Sequence, residues 1–375
     1  MTSKDRLLSV LSGESVDPPP VVLHSWGDYK VEFAGYHPKF QYYQGGEELA
    51  EIERVFYERF RPDWIHLGSA GWRGFWTRAR RVEGKRAFIR SGDGARWIEI
   101  RDDYTLADPG ELPSEGAAPR LRLESRAAID DYYAAMCPSA DVILDSGRFD
   151  HLKRIASAYG DRVLIALNDG APGWVPGYSF EDLAIACVEE PDLVAYHIFK
   201  ACECFLNDVR AAHAAGAHAY IFSEGFPHSL DTLSPVMHER LEGDARRWFY
   251  AEVRKIGVLP IGYWLGDVRP NMGLLNSLAM AGLMIEEDKK GFALDPVEIR
   301  RLLRPEICLF GNLDSALLFR GTPSAIRAGV RRHVMAAAEG PFVVANGSPL
   351  IIGTPPEAID VFLDEARKGV TYETV

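Results

Sequence analysis

Short apolar runs that end in a polar residue and give way to a helical pattern recur along this chain, and no other feature narrows its fold as much. Ala219–Phe222 precedes Ser223-Glu224, and Leu259–Tyr263 precedes Trp264-Leu265-Gly266-Asp267. Leu283–Ile285 precedes Glu286, Ile307–Phe310 precedes Gly311-Asn312-Leu313-Asp314, and Phe342–Ala345 precedes Asn346. Pro20–His24, Pro62–Gly68, Asp141–Leu144 and Arg162–Leu167 read as earlier strands of the same kind. Apolar strands alternating with helices imply a parallel sheet covered by helices. Roughly eight such units fit a closed (β/α)8 TIM barrel of α/β class better than an open doubly wound sheet. No Gly-x-Gly-x-x-Gly follows the first strand, which argues against a dinucleotide fold. Residues 1–375 are read as one barrel domain with a small β-rich insertion after the second strand, at about 76–120. There, Arg81–Gly84, Ala87–Arg90 and Arg96–Ile100 alternate like a meander between glycine turns.

In such a barrel the C-terminal strand ends converge on one face, so the residues just past each strand line one pocket. Those residues are His24, His66, Asn168, Asp169, Glu224, Tyr263, Asp267, Glu286, Asn312, Asp314 and Asn346. Taken singly, an Asp or Asn there serves equally well as a helix cap or turn former. Taken as a set, they predict a polar mouth. Glu224, Asp267, His66 and Tyr263 are the candidate catalytic groups, because histidines and buried carboxylates move protons near neutral pH. His24, Trp26, Asn168, Asn312, Asp314 and Asn346 are the candidate substrate contacts. His24, His66 and Glu224 are the one trio from separate strand ends suited to zinc. Tryptophans crowd the same segments, among them Trp26, Trp72, Trp174 and Trp264, and would suit a flat, perhaps aromatic, small-molecule substrate.

The net charge of −12 leaves no basic stripe for nucleic acid. No apolar run approaches the roughly eighteen residues of a membrane span. The N-terminus lacks the apolar core of a secretory signal. Five scattered cysteines lead to the expectation of a cytoplasmic protein with reduced thiols. Cys202-Glu203-Cys204 falls in a helical pattern that points the two sulfurs apart, so no metal is expected there.

Several segments resemble the uroporphyrinogen decarboxylase (URO-D) superfamily. They are "FGNLDSALLFRGTPSAIRAGV", "GPFVVANGSPLIIGTPPEAIDVFLDEARK", "AGAHAYIFSEGF" with "LDTLSPVMHERL", and "RLLSVLSGESVDPPPVVL". They fall in the family's order, and the family's fold is the same barrel. The resemblance is closer to the corrinoid-dependent methyltransferase branch than to true uroporphyrinogen decarboxylase. The true decarboxylase carries substrate-binding arginines after its first strand, where this chain reads His24-Ser-Trp-Gly-Asp-Tyr29. The methyltransferase branch implies methyl transfer (O-demethylation) from a small methylated or methoxylated substrate to a corrinoid carried by a separate protein. It also implies a zinc ion held by a His-x-Cys pair and a later Cys. Here those places hold Tyr263, Leu265 and Ser348, and leucine has no donor for zinc. The alternatives are a metal-independent decarboxylase acting on a small carboxylic acid and a barrel that binds without catalysis. A homodimer is a further implication of the resemblance.

Overall fold

The computed structural model describes residues 1–369 except 72, 109, 111–119, 169, 225–228, 231 and 289–290, so Trp72 and Asp169 lie outside the described residues. Ten strands are present. They are β1 (Trp64–Gly68), β2 (Arg80–Glu83), β3 (Arg86–Arg90), β4 (Trp97–Ile100), β5 (Leu164–Asn168), β6 (Ala219–Glu224), β7 (Leu259–Trp264), β8 (Gly282–Ile285), β9 (Cys308–Phe310) and β10 (Phe342–Val343). Seven of them form one parallel sheet in the order β1-β5-β6-β7-β8-β9-β10.

Both edges of that sheet meet on residues 20–24. The Val22 N–H donates to the Val344 carbonyl and the Val344 N–H to the Pro20 carbonyl, each at 2.9 Å. On the other side the Asp63 N–H donates to Val21 at 2.8 Å, and the Val21 N–H returns a bond to the Asp63 carboxylate at 2.7 Å. The segment is thus the eighth stave of a TIM-type barrel. Side chains alternate along every stave. Val22, Trp64, Ala166, Ile221, Ile261, Met284, Phe310 and Val343 fill the interior. Leu23, Leu67, Leu167, Phe222, Leu283 and Leu309 pack outward beneath the helices. The helix Ser3–Leu11 plugs the interior from below with Leu7, Val10 and Leu11.

The antiparallel sheet β2-β3-β4 is the inserted meander. Its apolar face (Ala87, Ile89, Ile98 and Ile100) packs against Val31, Phe40, Tyr43 and Ile52, giving the insertion a core of its own on the barrel's flank.

Three sequence expectations need correction. Asp141–Leu144 is not a strand but part of the helix Ala140–Asp145, capped by Ser139, with only Ile143 buried. Three apolar residues in a row do not separate a short strand from one helical turn, and here the serine cap decided. The helical pattern at 235–255 is interrupted by a π turn at Glu239–Gly243. Cys137 and Cys204 form a disulfide with Cα atoms 5.6 Å apart, joining the end of the helix Arg126–Met136 to the long helix Pro191–Ala214. A separation of 67 residues hides that proximity in the sequence. Cys187, Cys202 and Cys308 are free and buried. Among the described residues no helix is long and apolar enough to cross a membrane.

Candidate active site at the barrel mouth

Strand parity sorts the candidate residues. Two positions above the inward-facing Val22, Trp64, Ala166, Ile221 and Ile261 stand His24, His66, Asn168, Ser223 and Tyr263. They form the uppermost inward layer of the barrel. The His24 and His66 ring centroids are 5.4 Å apart, and Tyr263 meets His24 edge-on at 4.8 Å. His24 Nδ1 lies 3.1 Å from the Gly347 carbonyl. The Tyr263 hydroxyl meets Ser348, and burial together with Glu286 and Glu287 holds that hydroxyl protonated far above its usual range.

A cavity of about 500 Å³ opens beside β1, β5 and β6, and its walls include Trp26, Gln41, Tyr42, Glu53, His66, Arg148, Asn168 and Ser223. Its two charged groups are matched from behind. Lys30, itself buried, donates to both Glu53 oxygens at 2.8 and 3.1 Å and also to the His66 carbonyl. Arg148 reaches Asp208 at 2.6 Å.

The buried His66 is held neutral. Desolvation, then the Lys30 ammonium and His24, lower its pKa well below the ordinary range. The Ser25 N–H donates to His66 Nδ1 at 3.4 Å, which leaves the proton on Nε2. The Asn168 amide is also oriented, because the Ser223 hydroxyl donates to its Oδ1 at 2.9 Å and turns Nδ2 outward as the donor. His66 Nε2 and Asn168 Nδ2 are both buried and have no hydrogen-bond partner among the described residues. Two aimed donors on one cavity wall are a fit for an oxygen acceptor.

Other candidates are placed elsewhere. Glu224 follows Ser223 and therefore faces the opposite side of the sheet. There Arg246 lies 2.9 Å from its Oε2, and the Tyr250 hydroxyl donates to its Oε1 at 3.2 Å. Asp267 is held by Arg269 at 2.8 and 2.9 Å, which lowers its pKa, and it does not line the cavity. Asp314 caps the helix Ser315–Arg320 through the Ala316 N–H. Asn312 Nδ2 donates to the carbonyls of Glu286 and Leu294, each at 3.0 Å. Asn346 receives the His24 N–H at 2.9 Å and returns a bond to the His24 carbonyl at 2.8 Å. These two amides clasp neighbouring strand ends and are not aimed at a ligand. Trp26 lines the cavity, whereas Trp264 is buried on the outer face and Trp174 is not in the wall.

The zinc reading does not fit this arrangement. Leu265 offers no donor where the family's cysteine would stand, and Tyr263 and Ser348 are engaged with each other. Glu224 is separated from His24 and His66 by the sheet. Among the described residues no three His, Cys, Asp or Glu side chains converge as metal ligands.

Ser223, Lys30, Glu53, Tyr42 and Arg148 escaped the sequence reading. Two of them left signals. Alternation from Ile221 points Ser223 inward, and Glu53 falls on the buried helical stripe Leu49-Ile52-Glu53-Phe56-Phe60, where a carboxylate is out of place without a partner.

No curated protein sequence matches the chain. Among solved structures, a methyltransferase from Methanosarcina mazei superposes with a TM-score of 0.67 at 17% identity, over 98% of this chain and 99% of that one. A putative vitamin-B12 independent methionine synthase from Listeria monocytogenes reaches a TM-score of only 0.39 at 13% identity, over 59% of this chain and 68% of that one. The first likeness shows the fold over the full length, and the second is too remote to bear on the site. The description Uroporphyrinogen decarboxylase (URO-D) matches residues 148–369, more than half of the sequence, and the chain belongs to that family.

Proposed function

We propose that the chain is an enzyme that transfers a methyl group from the oxygen of a small, flat O-methylated substrate to a corrinoid carried by a separate protein. The carrying observation is the pair of buried donors, His66 Nε2 and Asn168 Nδ2, on the wall of the mouth cavity. When the methyl leaves as a cation equivalent to a nucleophilic acceptor, the C–O electron pair stays on oxygen. The negative charge that develops there needs donors or a proton. His66, neutral and protonated on Nε2, is placed to supply either, and Asn168 adds a second hydrogen bond. A methylated ammonium would leave as a neutral amine and would give these donors no anion to stabilise. Likeness of fold to the Methanosarcina mazei methyltransferase supports the reaction class. No step is drawn through a metal.

A second reading, decarboxylation, is favoured by Arg148, whose guanidinium stands in the cavity wall and suits a carboxylate. One experiment separates the two. Purified protein is incubated with neutral aryl methyl ethers, with and without a reduced corrinoid protein, and in parallel with aromatic carboxylic acids. Release of the phenol only when the corrinoid protein is present supports methyl transfer. Release of CO2 that is indifferent to the corrinoid protein replaces it with decarboxylation.

A further inference from the structure

The insertion reaches the cavity at one point. At the end of β4 the chain makes a tight turn in which the Arg101 N–H donates to the Thr105 carbonyl at 2.8 Å, and Tyr104 sits inside it at φ 64°. A non-glycine residue in that left-handed region is strained, and it persists only where its surroundings hold it. Three contacts do so. The Tyr43 hydroxyl donates to the Tyr104 carbonyl at 2.6 Å, the Tyr104 hydroxyl approaches Asp28 at 3.4 Å, and the Tyr104 ring meets the Tyr42 ring edge-on at 5.6 Å. Tyr42 lines the cavity and is 50% exposed. Its backbone is pinned from below, since a Cβ on Gly71 would fall 1.8 Å from the Tyr42 carbonyl oxygen. The ring is therefore fixed at both ends while one face stays open to the cavity. The meander that carries Tyr104 is anchored by its own core, so this is a built wall and not a hanging loop.

We propose that the inserted meander is the specificity element of this site: through Tyr104 it fixes Tyr42 as a wall that selects flat, uncharged aromatic rings. The uncharged character follows from the wall's charges, since Glu53 is matched by Lys30 and Arg148 by Asp208. This deepens the O-methyl reading and rests on it for the reaction, but the selection of rings is testable without turnover.

The test is isothermal titration of the full-length protein with anisole, benzyl alcohol and tert-butyl methyl ether. Tyr104→Gly suits the positive φ and so leaves the turn intact while removing the ring behind Tyr42. It is expected to weaken both ring compounds about three- to tenfold, the value of one edge-to-face pair, and to leave the aliphatic ether within about twofold. Tyr104→Phe keeps the ring and is expected to bind like the unmodified protein. Unchanged ring binding in Tyr104→Gly, equal loss for ring and aliphatic probes, or no ring binding by the unmodified protein would each overturn the proposal. Ring binding that depends on Tyr104, without any methyl release from anisole, would leave the wall standing and remove the O-methyl reading instead.

Discussion

Ser223 and Glu224 are adjacent in the chain and stand on opposite faces of the end of β6. Inside, Ser223 joins Asn168, His66 and Tyr263 around a cavity. Outside, Glu224 joins Arg246, Tyr250, Glu242 and His238 in a buried cluster under the helices. Arg246 lies 3.2 Å from Glu242, and His238 lies 2.6 Å from the same carboxylate. Both groups are polar, buried and at the same height in the barrel. They differ in what they face. The inner donors look into open space, whereas the outer charges look at one another. A buried polar group that meets its complement serves the fold, and one that meets a cavity is available to a ligand.

The largest effect expected from this contrast is on catalysis. His66→Ala removes the donor that meets the developing oxyanion, so kcat/KM should fall by about 10²- to 10⁴-fold. The unfolding midpoint should move little, because the ring's own polar partner is a single long bond from the Ser25 N–H. Full activity in that variant would remove His66 from the reaction.

The outer cluster should show the reverse. Glu224→Ala leaves the Arg246 and Tyr250 donors facing an empty space, and breaking such a buried arrangement costs about 3 kcal/mol. Chemical denaturation should report that loss, while kcat/KM of the folded fraction stays within about twofold, the scatter expected away from the site. If instead activity collapses at unchanged stability, the inside–outside distinction is wrong.

This contrast also marks how far the sequence could be read. The barrel was legible because an apolar run followed by a helix has few other places to go. The level of the site was legible for the same reason, and His66 and Asn168 were found there. The face was not read, because Glu224 was judged by its chemistry when Ile221 and Ala219 had already set the parity of β6. Asn312, Asn346 and Asp314 look identical to site residues in sequence. Only contacts with the strand ends or helix beside them show that they are clasps and caps. The disulfide and the Lys30–Glu53 pair join residues distant in the chain, which spacing alone does not reveal.

A smaller effect concerns pH. Two carboxylates share one guanidinium in the outer cluster, and burial raises the Glu224 carboxyl from 4.5 to about 8, with Arg246 opposing and Glu242 adding to the shift. The folded protein therefore keeps a proton that the unfolded chain has lost. The resulting stability is complete below about pH 4.5, declines as pH rises, and is gone above about pH 8. Glu224→Gln, which keeps the neutral shape, should flatten that part of the stability–pH curve. An identical slope in the variant would show that Glu224 is ionised throughout, and the outer cluster would then be held by charge pairing alone.

The smallest effect is the most discriminating, because it sits one residue from the largest change in stability. The Ser223 hydroxyl makes one bond, to Asn168 Oδ1, and its role is to choose which end of the amide faces the cavity. Ser223→Ala frees the amide to rotate and present oxygen to the substrate oxygen. One lost hydrogen bond of about 1 kcal/mol translates to a roughly three- to tenfold fall in kcat/KM. The loss should fall on the step that develops charge, so kcat should drop with KM nearly constant. Stability should be unchanged, since the residue is only partly buried and Asn168 keeps its place on β5. Adjacent alanine variants would then give opposite phenotypes, 223 losing rate and 224 losing stability. A Ser223→Ala variant with altered stability and intact rate would mean that the amide serves the barrel, and the two-donor site would reduce to His66 alone.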